Sequence, residues 1–127
     1  MVLKVIMDRR HVNRQHPTIS INPKLKRIAI NKTARELMIE NYGRKFEHVL
    51  LLMDTENSDA FWIRPCEAAE DGARQLIVTS GNTITISCSL LLKEFNWKYT
   101  ETQSFPLQWD DSNAGAKVDL NLDEEKR

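Results

Sequence analysis

The chain has 127 residues, of which 41% are hydrophobic and 28% charged, as expected of one globular domain. No apolar run approaches the roughly 18 residues that a membrane-spanning helix needs. The apolar start, residues 1–7, is too short for a signal peptide, so we expect a cytoplasmic protein that binds no membrane. Cys66 and Cys88 are then expected to be reduced, partly buried thiols, with a disulfide between them as the alternative.

The net charge of zero hides a strong asymmetry along the chain. Residues 1–47 carry 11 Lys or Arg and 4 Asp or Glu, so this part is +7 and the remainder, residues 48–127, is −7. A basic end of this kind indicates an anionic partner. The alternative is that the two parts attract each other, within one molecule or between subunits.

The elements predicted in the first half begin with a strand at residues 3–7 and a polar, basic segment up to residue 17. Apolar and polar residues then alternate in two predicted strands, 18–21 and 27–30, around a turn at 22–26. Thr33 and Glu36 have the spacing of a capping box, which predicts a short helix with Ala34, Leu37 and Met38 on one face. Two further strands are predicted at residues 48–53 and 60–64, before a linker at 65–74.

The second half repeats this order of elements. Strands predicted at 75–79 and 83–86 flank Gly81 and Asn82, a pair typical of a hairpin turn. Ser87 or Ser89 is predicted to cap a second helix, whose inward residues are Leu91, Leu92 and Phe95. Strands at 105–109 and 116–120 follow, and residues 123–127 form a charged tail.

The two halves also match at one constant offset of 56 residues. Ile28 falls on Ile84, and Asp54, far along the chain, falls on Asp110. A shared offset at such distant positions indicates an internal duplication. The sequence therefore predicts an α+β fold for residues 1–127 as a single domain, in which two degenerate β-β-α-β-β repeats, about 18–64 and 75–122, are interleaved around a shared core.

Residues 26–37 resemble the swapped-hairpin family of AbrB-type and MraZ-type transcription regulators. Arg27, Ile28, Ile30, Arg35 and Leu37 fit the family's pattern of an alternating strand followed by a short helix that carries an arginine. Lys26 and Asn31 stand where that family usually has Gly and Pro. The resemblance implies an interleaved β-rich core and DNA contacts from the strand–helix corner, with Lys26, Arg27, Lys32 and Arg35 at the matching positions. The second repeat has Thr83 and Leu91 in place of the two arginines.

We therefore predict a DNA-binding module, of the kind found in transcription regulators, that uses a basic face of the first repeat. Lysine and arginine neutralise backbone phosphates without reading the base sequence. The residues expected to do so are Arg9, Arg10, Arg14, Lys24, Lys26, Arg27, Lys32 and Arg35. The main alternative is a protein-interaction or scaffold domain without nucleic acid, and self-association into a homo-oligomer is compatible with either hypothesis.

Other chemistries have weaker support in the sequence. His11, His16, His48 and the two cysteines lack metal-ligand spacing, so no metal or cofactor is expected. The acids around Asp54 and Asp110 fall at predicted turns, where carboxylates bond their own backbone, and no catalytic residue is predicted. Exposed aromatic side chains could stack on single strands. The candidates, Phe61, Trp62, Trp97, Tyr99 and Trp109, lie in the acidic part, and Trp62 and Trp109 are on strands expected to face the core.

Overall fold

The computed structural model describes residues 16–79 and 83–120, and within these ranges the chain forms nine strands, two α-helices and one 3-10 turn. In chain order they are β1 Thr18–Asn22, β2 Arg27–Ile30, α1 Lys32–Tyr42, β3 His48–Asp54, β4 Asn57–Cys66, β5 Arg74–Gln75, β6 Ile77–Val78, β7 Ile84–Ser87, α2 Ser89–Glu94, β8 Gln103–Asp110, the 3-10 turn Asp111–Asn113 and β9 Gly115–Asp119. The predicted strand at 3–7, the segment 8–15, the turn residues 81–82 and the tail 123–127 lie outside the described residues.

The nine strands form one antiparallel sheet that is nearly closed into a barrel. Their order in the sheet is β5-β3-β4-β9-β8-β1-β2-β7-β6. The two end strands, β5 and β6, are separated only by Leu76, so this short stretch of chain connects the two ends of the sheet. The ladder between β2 and β7 therefore lies across the barrel from the ladder between β4 and β9. The domain is β-rich, with two short helices added.

The alternation that predicted the strands also places their apolar side chains in the core. Successive side chains of a strand point to opposite faces, so every second residue can face the barrel interior. Ile28 and Ile30 of β2 are directly opposite Ile86 and Ile84 of β7, and all four are buried. Buried residues from every strand except β5 and β6, and from both helices, make a single core cluster. Both halves of the chain therefore depend on one shared core.

Two ladders each pair a strand from the first half of the chain with a strand from the second half. In the β2–β7 ladder Ala29 is paired with Thr85, the residue on which it falls at the 56-residue offset. In the β4–β9 ladder the central pairs join Phe61 to Val118 and Trp62 to Lys117. These two ladders lie on opposite sides of the barrel.

The N-cap residue of helix α1 is Asn31 rather than the predicted Thr33. The Asn31 side-chain oxygen accepts hydrogen bonds from the backbone N–H groups of Ala34 (2.8 Å) and Thr18 (3.2 Å). Its side-chain amide donates to the carbonyl of His16 (2.9 Å) and the hydroxyl of Thr18 (2.8 Å). The capping-box prediction was wrong because Asn31 caps the helix and fixes the start of β1 at the same time.

Replacing Asn31 with alanine should destabilise the domain by about 1–2 kcal/mol, since it removes a helix cap and its connection to β1. The matched control is Asn41→Ala on the same helix. Asn41 is exposed and donates only to the carbonyl of Leu37 in the preceding turn. Urea unfolding monitored by circular dichroism should give a much smaller loss for the control. Equal losses would contradict the role assigned to Asn31.

Three further predictions need correction. Helix α2 begins after Cys88 with no side-chain cap, so neither Ser87 nor Ser89 caps it. The predicted strand at 75–79 is divided at Leu76, whose N–H donates to the carbonyl of Glu47 (2.9 Å). The linker is shorter than predicted because Pro65 and Cys66 continue β4, where they pair with Val49 and His48.

Candidate nucleic-acid interface

The outer face of β1, β2, β7 and of β8 as far as Trp109 is lined largely by small side chains and has no Asp or Glu of these strands, while Asp110, the last residue of β8, lies beyond the start of β1. Because isoleucine, phenylalanine and leucine side chains of these strands fill the core, the alternate residues point outward. One row of direct cross-strand neighbours contains Ser104, Ser20, Ala29 and Thr85. No Asp or Glu occurs in residues 16–35, 75–93 or 102–109. We call this surface the acid-free face.

Three of the predicted basic residues lie together at one end of the acid-free face. Lys24 and Lys26 are in the turn between β1 and β2, Arg27 begins β2, and all three are exposed. The turn is held by the Asn22 side-chain oxygen, which accepts from the N–H groups of Lys24 (3.0 Å) and Leu25 (3.1 Å). The Lys26 carbonyl accepts from the N–H of Cys88 (2.9 Å), so the turn adjoins the start of α2.

The other predicted residues form a second group or lie outside the described residues. Lys32 and Arg35 are in the first turn of α1, beyond the opposite end of β2 from Arg27. At about 3.3 Å per residue, the two ends of β2 are roughly 10 Å apart. Lys32 is exposed and Arg35 half-buried. The structure therefore places the described basic residues in two groups, one at each end of β2, while Arg9, Arg10 and Arg14 lie outside the described residues.

Five of the predicted basic side chains lie in the part of the chain that the structure describes, and none of them is neutralised there by a carboxylate. They are Lys24, Lys26, Arg27, Lys32 and Arg35. The ion pair found there joins Arg44 to Glu67, where α1 ends near the end of β4. Glu67 also accepts from the Tyr42 hydroxyl (3.0 Å), and the Arg44 guanidinium lies 5.4 Å from the Tyr42 ring centroid. This cluster is exposed and links secondary-structure elements. The positive charge of the acid-free face is left available to a partner.

The predicted turn acids lie in the two turns that flank the β4–β9 ladder, since Asp54 ends β3 and Asp110 ends β8. Asp54 accepts from the N–H of Glu56 (2.9 Å), and Asp110 accepts from the N–H of Ser112 (3.1 Å). These bonds confirm the interpretation that the acids stabilise turns.

Asp110 holds the β8–β9 turn through three donors. Its carboxylate accepts from the Asn113 amide (2.8 Å) and the Trp62 indole N–H (2.9 Å), as well as from Ser112. The Asn113 and Trp62 hydrogen bonds lower the pKa of Asp110 below its ordinary value of 3.8. Because its pKa is lower in the folded protein, the ionised Asp110 carboxylate stabilises the fold at pH values above its ordinary pKa. This stabilisation is lost as the pH falls through the lowered pKa.

We expect Asp110→Asn to reduce stability at pH 7 and to flatten the loss of stability below about pH 4. The amide has one oxygen where the carboxylate has two, so it cannot accept all three hydrogen bonds. Asp71→Asn is the control, because Asp71 is exposed and lies in the loop between β4 and β5. Thermal unfolding from pH 2 to pH 7 measures both variants. If the stability of Asp110→Asn fell with decreasing pH as steeply as that of the unsubstituted protein, the role given to Asp110 would be wrong.

The aromatic residues do not form a stacking surface on the acid-free face. Phe61 is fully buried, and Trp97 and Trp109 pack against the core. Trp62 was predicted to face the core but points outward, because Phe61 and Ile63 occupy the inward positions on either side of it. Its indole lies beside Lys117, 5.8 Å from ring centroid to ammonium, on the β4–β9 side of the barrel.

The remaining candidates are the histidines, cysteines and acids of the described residues. No cluster of three or more His, Cys, Asp or Glu side chains is found there that could hold a metal ion. Cys66 and Cys88 are buried and are not joined in a disulfide, and burial raises the pKa of Cys88 to about 11. Neither described helix is long and apolar enough to cross a membrane.

No family model matches the chain, and neither a curated protein nor a solved structure matches it.

Proposed function

We propose that this protein is a DNA-binding module whose acid-free face contacts backbone phosphates. Lys24, Lys26 and Arg27 would make the principal contacts, and Lys32 and Arg35 would extend them at the other end of β2. The observation that carries the proposal is the exposed basic turn, which has no carboxylate partner among the described residues and lies beside β1, β2 and β7, three strands without Asp or Glu.

Two electrostatic features favour a phosphate at this face: the basic side chains attract it, and no acid of β1, β2 or β7 repels it. A phosphate that approaches this face meets no acidic side chain, and small serine, threonine and alanine side chains leave the basic groups projecting beyond the sheet. Each phosphate neutralised by lysine or arginine releases condensed counterions, which favours binding at low and moderate salt. The resemblance of residues 26–37 to AbrB-type and MraZ-type regulators supports the same assignment, and transcription regulation is the role it implies.

We also infer that the barrel consists of two interleaved repeats derived by duplication. In each half the order is a hairpin, a helix and a second hairpin, if the divided stretch β5–β6 is taken as the counterpart of β1. The pairing of β2 with β7 and of β4 with β9 supports this inference, since each joins equivalent strands. Asp54 and Asp110, which correspond at the 56-residue offset, make the same bond to the N–H two residues later.

The test of the proposed function is a titration of labelled duplex DNA, with single-stranded DNA in parallel, at several salt concentrations. We expect binding to the duplex at low salt. The logarithm of the binding constant should fall linearly with the logarithm of the salt concentration, with a slope of about −0.9 for each phosphate contacted. Non-specific phosphate attraction is strongest at low salt. Absence of binding under those conditions would refute the proposal.

A protein-interaction domain is the second candidate function, because several large apolar side chains are exposed. Leu25, Met53, Ile77, Val78 and Leu90 all lie at the surface. Exposed apolar patches mark association sites more often than scattered single residues do. A domain of this second kind would show no salt-dependent affinity for DNA and would bind a protein instead.

A further inference from the structure

A small apolar groove lies between β3 and α2. It has a volume of about 80 Å³ and is lined by Leu51, Met53, Leu90, Leu91, Glu94 and Phe95. Leu90 is 53% exposed and Met53 36% exposed, so part of the apolar lining is open to solvent. Glu94 is the one carboxylate that lines the groove. Arg74 also lines the groove, and its guanidinium donates to the Ser87 carbonyl (3.3 Å).

The turn between β1 and β2 has the complementary character. Leu25 is 65% exposed at its tip and is flanked by the ammonium groups of Lys24 and Lys26. An aliphatic side chain between two cations matches an apolar groove that contains the Glu94 carboxylate and whose one cation, Arg74, donates to the Ser87 carbonyl. The turn and the groove also lie at the same end of the barrel, since the Lys26 carbonyl accepts from the N–H of Cys88 immediately before α2.

We infer that two copies of this chain associate, each placing Leu25 in the β3–α2 groove of the other. Because turn and groove are neighbours on one molecule, a twofold axis brings both pairs together at once, as a self-complementary interface requires. Lys24 and Lys26 then face Glu94 of the second copy. The inference does not depend on the proposed function, but it shares two lysines with it, so duplex DNA and the second copy compete.

The experiment is sedimentation of the full chain over a dilution series, at low and high salt. We expect a concentration-dependent dimer that weakens with salt. Leu25→Glu and Leu90→Glu should each raise the dissociation constant about tenfold or more, since both place a charge in the apolar contact. Val78→Glu is the control, because Val78 is 68% exposed on β6 and does not line the groove. Circular dichroism confirms that each variant is folded.

Cross-linking tests the geometry directly. A mixture of Leu25→Cys and Leu90→Cys proteins should form a disulfide-linked dimer on oxidation, and neither variant alone should do so to the same extent, while the native thiols are buried. A protein that is monomeric at every concentration would refute the inference. A dimer that forms no Leu25→Cys to Leu90→Cys link, or that both glutamate variants leave intact, would refute it equally, and another partner of the groove would then be sought. DNA binding by a monomeric protein would leave the proposed function standing alone.

Discussion

Replacing Lys24, Lys26 and Arg27 together with glutamine should weaken binding to duplex DNA by about a hundredfold at moderate salt. These three side chains are exposed, adjacent and without carboxylate partners, so each is free to neutralise a phosphate. The slope of log affinity against log salt should become shallower by about 0.9 for every phosphate that is no longer neutralised. Fluorescence anisotropy with a labelled duplex measures both quantities.

The matched control removes the same amount of charge elsewhere. Lys45, Lys98 and Lys117 are exposed and lie outside the acid-free face, and Lys117 is on the opposite ladder. Changing these three to glutamine should affect affinity far less, because only long-range attraction is removed. If both triple variants reduced affinity equally, net charge rather than the β1–β2 turn would control binding, and the proposed site would be wrong.

Phe61→Ala should destabilise the domain by about 3–5 kcal/mol, the range for removing a buried aromatic side chain. Phe61 is fully buried, pairs across the ladder with Val118, and packs edge-on against Phe95 with the ring centroids 6.1 Å apart. It lies where the two halves of the sheet meet. The cavity left by its removal would therefore weaken both halves together.

The neighbouring Trp62→Ala is the control for that prediction. Trp62 points outward, so its replacement removes the hydrogen bond to Asp110 and part of the outer packing but leaves the core filled. Chemical denaturation should show one cooperative transition for both variants, with the smaller shift for Trp62→Ala. A smaller effect of Phe61→Ala than of Trp62→Ala would contradict the described core.

Much of the β structure could be predicted because alternation with a period of two is a local signal. The strand 27–30 was predicted with the bounds that the structure shows. The caps were harder, since Asn31 and Thr33 are both good cap residues and the choice depends on Thr18 and His16. Those partners belong to a distant segment. A capping box alone contains no information about them.

The candidate interface could be predicted only in part for the same reason. The sequence shows the clustered basic residues, but the acid-free face combines β1 and β2 with β7 and β8, which come from the other half of the chain. Its absence of carboxylates becomes visible only once the strand order is known. The outward direction of Trp62 likewise depends on which of three consecutive apolar residues, Phe61, Trp62 and Ile63, face inward.

Nuclear magnetic resonance of the isotope-labelled protein during addition of duplex DNA tests the central claim most directly. The account predicts that backbone amide shifts change at residues 22–27 and 87–89, around the β1–β2 turn, and along the outer face of β2. The amides of the β4–β9 ladder, at residues 60–63 and 116–119, should stay unchanged. Shifts confined to that ladder, or no shifts at low salt, would contradict the account.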